Sequence, residues 1–467
     1  MSDFHNTLNR VRARYMGRAV PTRTSSELSS DPDVTIGIAT IKIVTEEQIQ
    51  AIAFGSLDGE PEVVVRVDPI GRDVSDLKPF ADFMDRTAKR VLEAGGDLRV
   101  WIPHSVTLEA LDVLGHRYWR NQNASNEIMR MGEVCRIVAH EATFPGQQTV
   151  ADAAALLRGH VVTGLAPIEE GHLGAMLAWL DPAISDPLAE ARNRIRLPAS
   201  GVLPNTPDYP LDDRVDFLRK KRKGATGHFL TALEKEIESI LRRWVLREWQ
   251  LLVEARRAFW QLDLSQVGLD ELVKDSRGRI GNALEYGHFP ARRPDKLAVL
   301  LAQMEAGLEK AELASLKSDP VVRDHAVRSG EVVRGAVSEV RQSRRKFKPC
   351  DIDVSSDQSV IRLRIDDKIG IVGTPIRGIV RAISATSTGG TKVSIEITDG
   401  VRQTDVLSVD SLVDVMREGY GFVNHRAFGL VSQRRPWVFF DDGVPVIVAG
   451  QAPARSALEI AAEARRS

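Results

Sequence analysis

Between Gly227 and Leu262 the chain has no proline and no further glycine. Nothing there breaks a helix. Leu230, Leu233, Ile237, Leu241, Trp244, Leu251, Ala255, Phe259 and Leu262 keep close to one stripe at helical spacing. Some 35 residues at 1.5 Å each give a rod on the order of 50 Å long. A second helical pattern, about 294–317, carries Leu297, Leu300, Leu301, Met304, Leu308 and Leu316. The two read as an antiparallel hairpin with a short helix around 266–276 at its turn, a helical unit over 214–326.

The flanking segments have different textures. Residues 1–32 lead through a short basic amphipathic piece into "TRTSSELSSDPD", too polar to offset the cost of ordering it, and read as a flexible tail. From 33 to 181 the pattern is α/β. Three β-branched runs ("VTIGIATIKIV", "IQAIAFGSL", "EVVVRVDP") precede the helix "SDLKPFADFMDRTAKRVLEAGG", the buried strand "LRVWIP" and a helix from Thr107. "NEIMRMGEVCRIVAHE" and "TVADAAALLRG" continue as helices. Six prolines between Pro182 and Pro210 mark 182–213 as a linker. Five alternating strands, "GEVVRGAVSEV", "CDIDVSS", "SVIRLRI", "IRGIVRAISAT" and "TKVSIEITDG", predict a small β-barrel of OB or SH3-like type over 327–408. A C-terminal extension, 409–467, opens with a short helix over 409–417. The fold class expected is multidomain: α/β, then helical, then all-β.

Charge excludes simple partners. Lys and Arg number 63 against 64 Asp and Glu, so no polyanion partner follows from the global balance and any such partner rests on local clusters. Two cysteines, Cys135 and Cys350, lie far apart, which suits a reducing compartment and no zinc spacing. The N-terminus has cations but no apolar core of a secretory signal, and no apolar run approaches the ~18 residues of a membrane helix. A cytoplasmic protein with no membrane contact is expected.

Two cation clusters stand out. "RQSRRKFKPC" gathers Arg341, Arg344, Arg345, Lys346 and Lys348 around Phe347, between the first two barrel strands. Cations neutralise phosphate and release counterions, and an aromatic ring stacks on a base. The opposing reading is a solvated hairpin tip. "RKKRKG" sets Arg219, Lys220, Lys221, Arg222 and Lys223 just before the long helix, which adds Arg243 and Arg247, with Arg242, Arg256 and Arg257, among Trp244, Trp249 and Trp260. Glu238 offsets Arg242 at i,i+4, and the tryptophans suit a hairpin core as well as a stacking surface. If these clusters share a face they form a groove for DNA or RNA.

The order of the first domain, three strands, helix, strand and helix, resembles RNase H-like nucleases over roughly 33–140. The resemblance implies an Asp and a Glu two residues apart on the first strand, holding two metal ions. Here that strand, "VTIGIATIKI", has no acid. The resemblance therefore implies a catalytically dead copy used for binding. A live two-metal site would have to come from Asp33, Asp68 and Asp97.

Other chemistry is thin. His140–Glu141, His160 and "EEGHL" show neither HExxH nor a Cys/His ligand spacing, and His172 sits among apolar residues as a structural histidine. There is no GxxxxGK[ST], GxSxG or strand-borne GxGxxG. No catalytic residue, metal or cofactor is assigned. The expected function is a non-catalytic nucleic-acid-binding accessory protein partnering a helicase or nuclease in DNA repair or phage defence. A protein–protein scaffold, with the hairpin tryptophans as its interface, is one alternative, and a metal-dependent nuclease is the other.

Overall fold

The computed structural model describes residues 3–43, 48–70, 74–290, 294–341, 350–400 and 407–418. Their contacts form two units, Met1–Pro290 with Met304–Gly421, and Ala291–Gln303 with Phe422–Ser467. The described part of the second unit is residues 294–303.

In chain order the elements are α1 (Asp3–Met16), β1 (Val20–Pro21), β2 (Thr35–Lys42), β3 (Ile49–Gly55), β4 (Glu62–Val65), α2 (Lys78–Glu93), β5 (Arg99–Ile102), α3 (Ser105–Tyr118), α4 (Asn126–Glu141), β6 (Val150–Asp152), α5 (Ala153–His160), β7 (Val161–Val162), α6 (Leu173–Leu180), α7 (Pro187–Arg194), α8 (Leu211–Arg222), α9 (Gly227–Trp260), α10 (Asp270–Tyr286), α11 (Pro294–Ser318), α12 (Pro320–Ser329), β8 (Val332–Arg341), β9 (Cys350–Ser356), β10 (Lys368–Ile371), β11 (Arg377–Ala385), β12 (Thr391–Asp399) and β13 (Leu412–Arg417).

A five-stranded sheet runs β4-β3-β2-β5-β6. Its first three strands are antiparallel, and β5 and β6 join parallel to β2. Central strand β2 is buried on both faces, which explains its nearly unbroken apolar run. Side chains alternate across it: Ile36 and Ile38 enter one cluster with Phe54, Val100 and Ile102, while Ala39 and Ile41 enter the other with Ala51, Ala53, Trp101 and Ala151.

The second face is made mostly of small residues, and α9 fills it with large ones. Trp244, Trp249, Leu252 and Phe259 pack there, each at most 6% exposed. Gly37 on β2 makes the closest approach possible: a Cβ there would lie 2.9 Å from the Trp249 ring and 2.5 Å from Leu57. Each large side chain so buried contributes about 1.5–3 kcal/mol.

The helical hairpin expected over 214–326 is therefore not an independent unit. Helix α9 spreads over β2, β3 and β4, whereas α10, longer than the short turn helix expected, covers the opposite face against α2 and α4. Described residues of α11 pack on the start of α10 through Leu269, Leu272 and Ala311. The apolar stripe of α9 is satisfied by the sheet together with α5, α6 and α8, a more extensive surface than one helix offers.

Residues 1–32 are not a tail in this structure. Arg10 pairs with Glu170 at 2.6 Å, Val20 pairs with Val162 across β1 and β7, and Leu28 is buried in the main core. Asp319, the N-cap of α12, accepts from the Ser25 backbone N–H at 2.8 Å and the Ser25 hydroxyl at 2.9 Å. Burial works against that carboxylate's charge, but the donors from Thr24, Val322 and Ser25 outweigh it and hold Asp319 below the usual aspartate range. The proline-rich 182–213 segment is also docked: α7 lies within it, Ala191, Ala199 and Leu203 are buried, and Leu203 N–H donates to the Lys42 carbonyl at the end of β2.

The remaining strands form a closed antiparallel barrel in the order β10-β11-β12-β9-β8-β13. Val333, Val337, Ile352, Val354, Val393, Ile395 and Val415 fill it. Two local expectations change. Residues 359–365 are irregular rather than a strand, with β10 formed just after them. Residues 412–417, expected as helix, are β13, which pairs with both β8 and β10. The exposed backbone edges of those two strands draw it into the ladder, with Val413 and Val415 inward and Leu412 in solvent.

Candidate nucleic-acid interface

The cluster before α9 divides according to what each cation faces. Arg219 turns inward: its guanidinium donates to the Val67 carbonyl at 2.9 Å, the Arg66 carbonyl at 3.1 Å and the Gln50 side chain. It clamps α8 to the end of β4 and its following loop and offers nothing to a ligand. Arg222 pairs with Glu234 at 2.9 Å and Asp68 at 3.3 Å. Lys220 pairs with Asp216 one turn back, and that contact raises its pKa. Lys221 and Lys223 are exposed and have no ion pair among the described residues.

One feature of α8 was missed in the sequence. Phe217 is 44% exposed, with Lys221 Nζ 4.4 Å and the Arg214 guanidinium 5.7 Å from its ring centre. Its signal was present as Arg-x2-Phe-x3-Lys, a spacing that puts all three side chains on one helical face. An exposed ring flanked by cations is a composition on which a nucleobase stacks. Asp212, Asp213 and Asp216 share this short helix and temper its charge.

The α9 cations behave differently. Arg242 pairs with Glu238, and Arg256 with Asp31 and Asp58. Arg247 lies against the Trp244 ring at 5.4 Å; burial pulls its pKa down, partly offset by Glu248. Arg243 is exposed, but sixteen positions beyond the helix start, about 24 Å along the axis at 1.5 Å per residue. Trp244 and Trp249 point into the molecule's own core, so they form no surface for a partner.

In the barrel, Arg341 ends β8 and bonds to Asp353 at 2.7 Å. The Arg341 to Asp351 register shows that the connection between β8 and β9 spans the basic stretch. Arg344, Arg345, Lys346, Phe347 and Lys348 themselves lie outside the described residues. Elsewhere on the barrel, several cations are matched: Arg334 with Asp414 and Asp324, Arg381 with Glu396 and Asp366, Lys392 with Asp353.

The carboxylates Asp33, Asp68 and Asp97 do not assemble into a metal-holding group. Asp68 is tied to Arg222 on α8 and Asp97 to Arg277 on α10, helices that cover opposite faces of the sheet. On β2, Thr40 faces α3 and bonds to Thr107 at 3.2 Å. The ends of β5 and β6 bring up His104 and Asp152. His104 meets the buried Glu248 of α9 at 3.0 Å, and Asp152 caps α5. Burial raises the Asp152 pKa, with the Ala155 N–H and His104 opposing it.

Two of the singled-out histidines, His172 and His160, are internally satisfied. His172 accepts from Ala175 N–H at 3.0 Å as the N-cap of α6 and donates to the Leu197 carbonyl at 2.6 Å. His160 donates from Nδ1 to the Leu156 carbonyl at 2.7 Å and accepts from Glu27 N–H at 3.3 Å. Glu141 is fully buried and gripped by Arg279; burial raises its pKa and the guanidinium opposes the rise. No helix among the described residues is long and apolar enough to cross a membrane.

No protein-family model, curated protein or solved structure matches this chain.

Proposed function

We propose that the chain is a non-catalytic nucleic-acid-binding accessory protein, acting beside a helicase or nuclease in DNA repair or phage defence. The observation that supports this reading is that β8 and β9 pair antiparallel in a closed barrel, while Arg344–Lys348, four cations and one aromatic, stand between those two strands in the sequence. Among the described residues, the barrel cations Arg334, Arg381 and Lys392 are paired with acids, and the sequence concentrates four further cations between β8 and β9. A barrel of OB or SH3-like kind, with a basic loop, suits a polynucleotide backbone.

The α/β layer supports the same reading. It has the element order on which the resemblance to RNase H-like nucleases rests, with Thr40 and apolar neighbours where the resemblance implies acids. Such a layer supplies shape or docking without hydrolysis. Phe217, Lys221 and Lys223 form a smaller second contact.

The test is binding of labelled single-stranded DNA, duplex DNA and RNA by anisotropy across a salt series. Neutralising ~3–5 phosphates gives a log K against log salt slope of roughly −3 to −4. Reversing Arg344, Arg345 and Lys346 to Glu should flatten that slope by about 3 and weaken binding on all three probes. Unchanged affinity at low salt would remove the reading.

A further inference from the structure

Helices α3 and α4 pack antiparallel at unusually close range. A Cβ on Gly115 would lie 2.8 Å from the Arg136 backbone, and one on Gly132 would lie 2.5 Å from Trp119 N. With the backbones in contact there, the last turn of α4 stands opposite the middle of α3. That places His140 against Asp112 and His116, which are themselves one helical turn apart. One donor atom from each of the three lies within 4.8 Å of both others.

We propose that Asp112, His116 and His140 form a divalent transition-metal site, with zinc as its ion. Two imidazoles and one carboxylate are a donor set that zinc accepts, with a fourth position left to solvent. Zinc sits ~2.0–2.1 Å from nitrogen and oxygen donors, so a tetrahedral ion separates them by about 3.3 Å. His116 Nε2 and Asp112 Oδ1 already stand at 3.4 Å. His140 closes the remaining gap, at most about 1.5 Å, by side-chain rotation.

The surroundings favour occupancy. The His140 ring lies nearly parallel to that of Phe289, with centroids 6.2 Å apart and a 15° tilt, and 6.4 Å from the His116 ring. The cation that opposes metal binding, Arg136, lies 3.7 Å from the centre of the Trp119 ring. His116 is exposed, so an ion reaches the site from solvent without opening the fold. The sequence signal was Asp-x3-His on one helix and a lone His on the next, and only the helix crossing brings the two together. The site is independent of any polynucleotide contact.

The experiment uses the full chain without an affinity tag, stripped with EDTA and titrated with Zn2+ against a chromophoric chelator. A parallel titration with Co2+ is read by visible absorption. One equivalent of zinc should bind at micromolar or tighter affinity and raise the melting temperature. His116→Ala and Asp112→Asn, both on the exposed side, should each weaken binding by at least about 100-fold, because even outer partners of metal ligands are worth 10–100-fold. Absence of saturable zinc binding overturns the proposal, as does undiminished binding in the His116→Ala, His140→Ala double variant.

Discussion

Asp31 and Arg256 stand 225 positions apart and are joined by a bond of 2.8 Å from the guanidinium Nε to the carboxylate. The same carboxylate accepts from Trp101 Nε1 at 2.8 Å and Trp260 Nε1 at 3.1 Å, with the buried Arg99 at 3.7 Å. One aspartate from the segment expected to be a tail thus ties β5 to the end of α9.

Removing that acceptor strands several donors at once. Asp31→Ala should cost about 3 kcal/mol, the loss typical when one partner of a buried ionic pair is deleted. Urea unfolding of Asp31→Ala beside Asp33→Ala measures it. Equal midpoints for the two variants would show that the Asp31 cluster holds nothing together.

The contact of Gly37 with Trp249 predicts overpacking. Gly37→Ala should destabilise by about 1–3 kcal/mol, and Trp249→Leu in the same chain should relieve part of that cost. A double-mutant cycle reads the coupling directly. Strict additivity of the two substitutions would mean that α9 and β2 are not in the close contact described.

Glu248 and His104 make a buried pair between the long helix and the end of a parallel strand. Glu248→Ala should cost about 3 kcal/mol, since the imidazole then loses its partner inside the core. Glu248→Gln retains a hydrogen-bonding group and should cost less. Chemical denaturation separates the two, and the reverse order would contradict the pairing.

His160 predicts a pH dependence. Burial pulls its pKa down to about 4 from an ordinary 6.5, with the Leu156 carbonyl opposing the shift. Between those values the unfolded chain binds a proton that the folded chain does not. The stabilisation is therefore full above pH 6.5 and is lost as pH falls toward 4. From pH 7 to pH 5 this one group should remove about 2 kcal/mol. Wild type and His160→Gln, unfolded at both pH values, give the contribution by difference; parallel losses in the two would assign the pH dependence to other groups.

Much of the architecture was readable because it is written in short-range patterns. The long helix followed from an unbroken apolar stripe, and the antiparallel hairpin of β8 and β9 from two alternating runs. The acid-free β2 was equally plain. The pairing of Lys220 with Asp216 and Arg242 with Glu238 follows from i,i+4 spacing. By contrast β6, three residues long, is too short to display alternation, and 409–417 has apolar residues compatible with either period.

The amino-acid order by itself determined which stretches could be helix or strand, where acids were missing from the first strand, and where cations were dense. Tertiary structure alone decided what those pieces met. It set α9 against a sheet face of alanines and a glycine rather than against α11 alone, drew 412–417 into the barrel, fastened residues 1–32 through Asp31 and Ser25, and brought His140 to His116. The physical reason is that backbone propensity and side-chain period act over a few residues. Burial, pairing of charges and completion of hydrogen-bond ladders are settled between groups hundreds of positions apart, whose proximity no local pattern encodes.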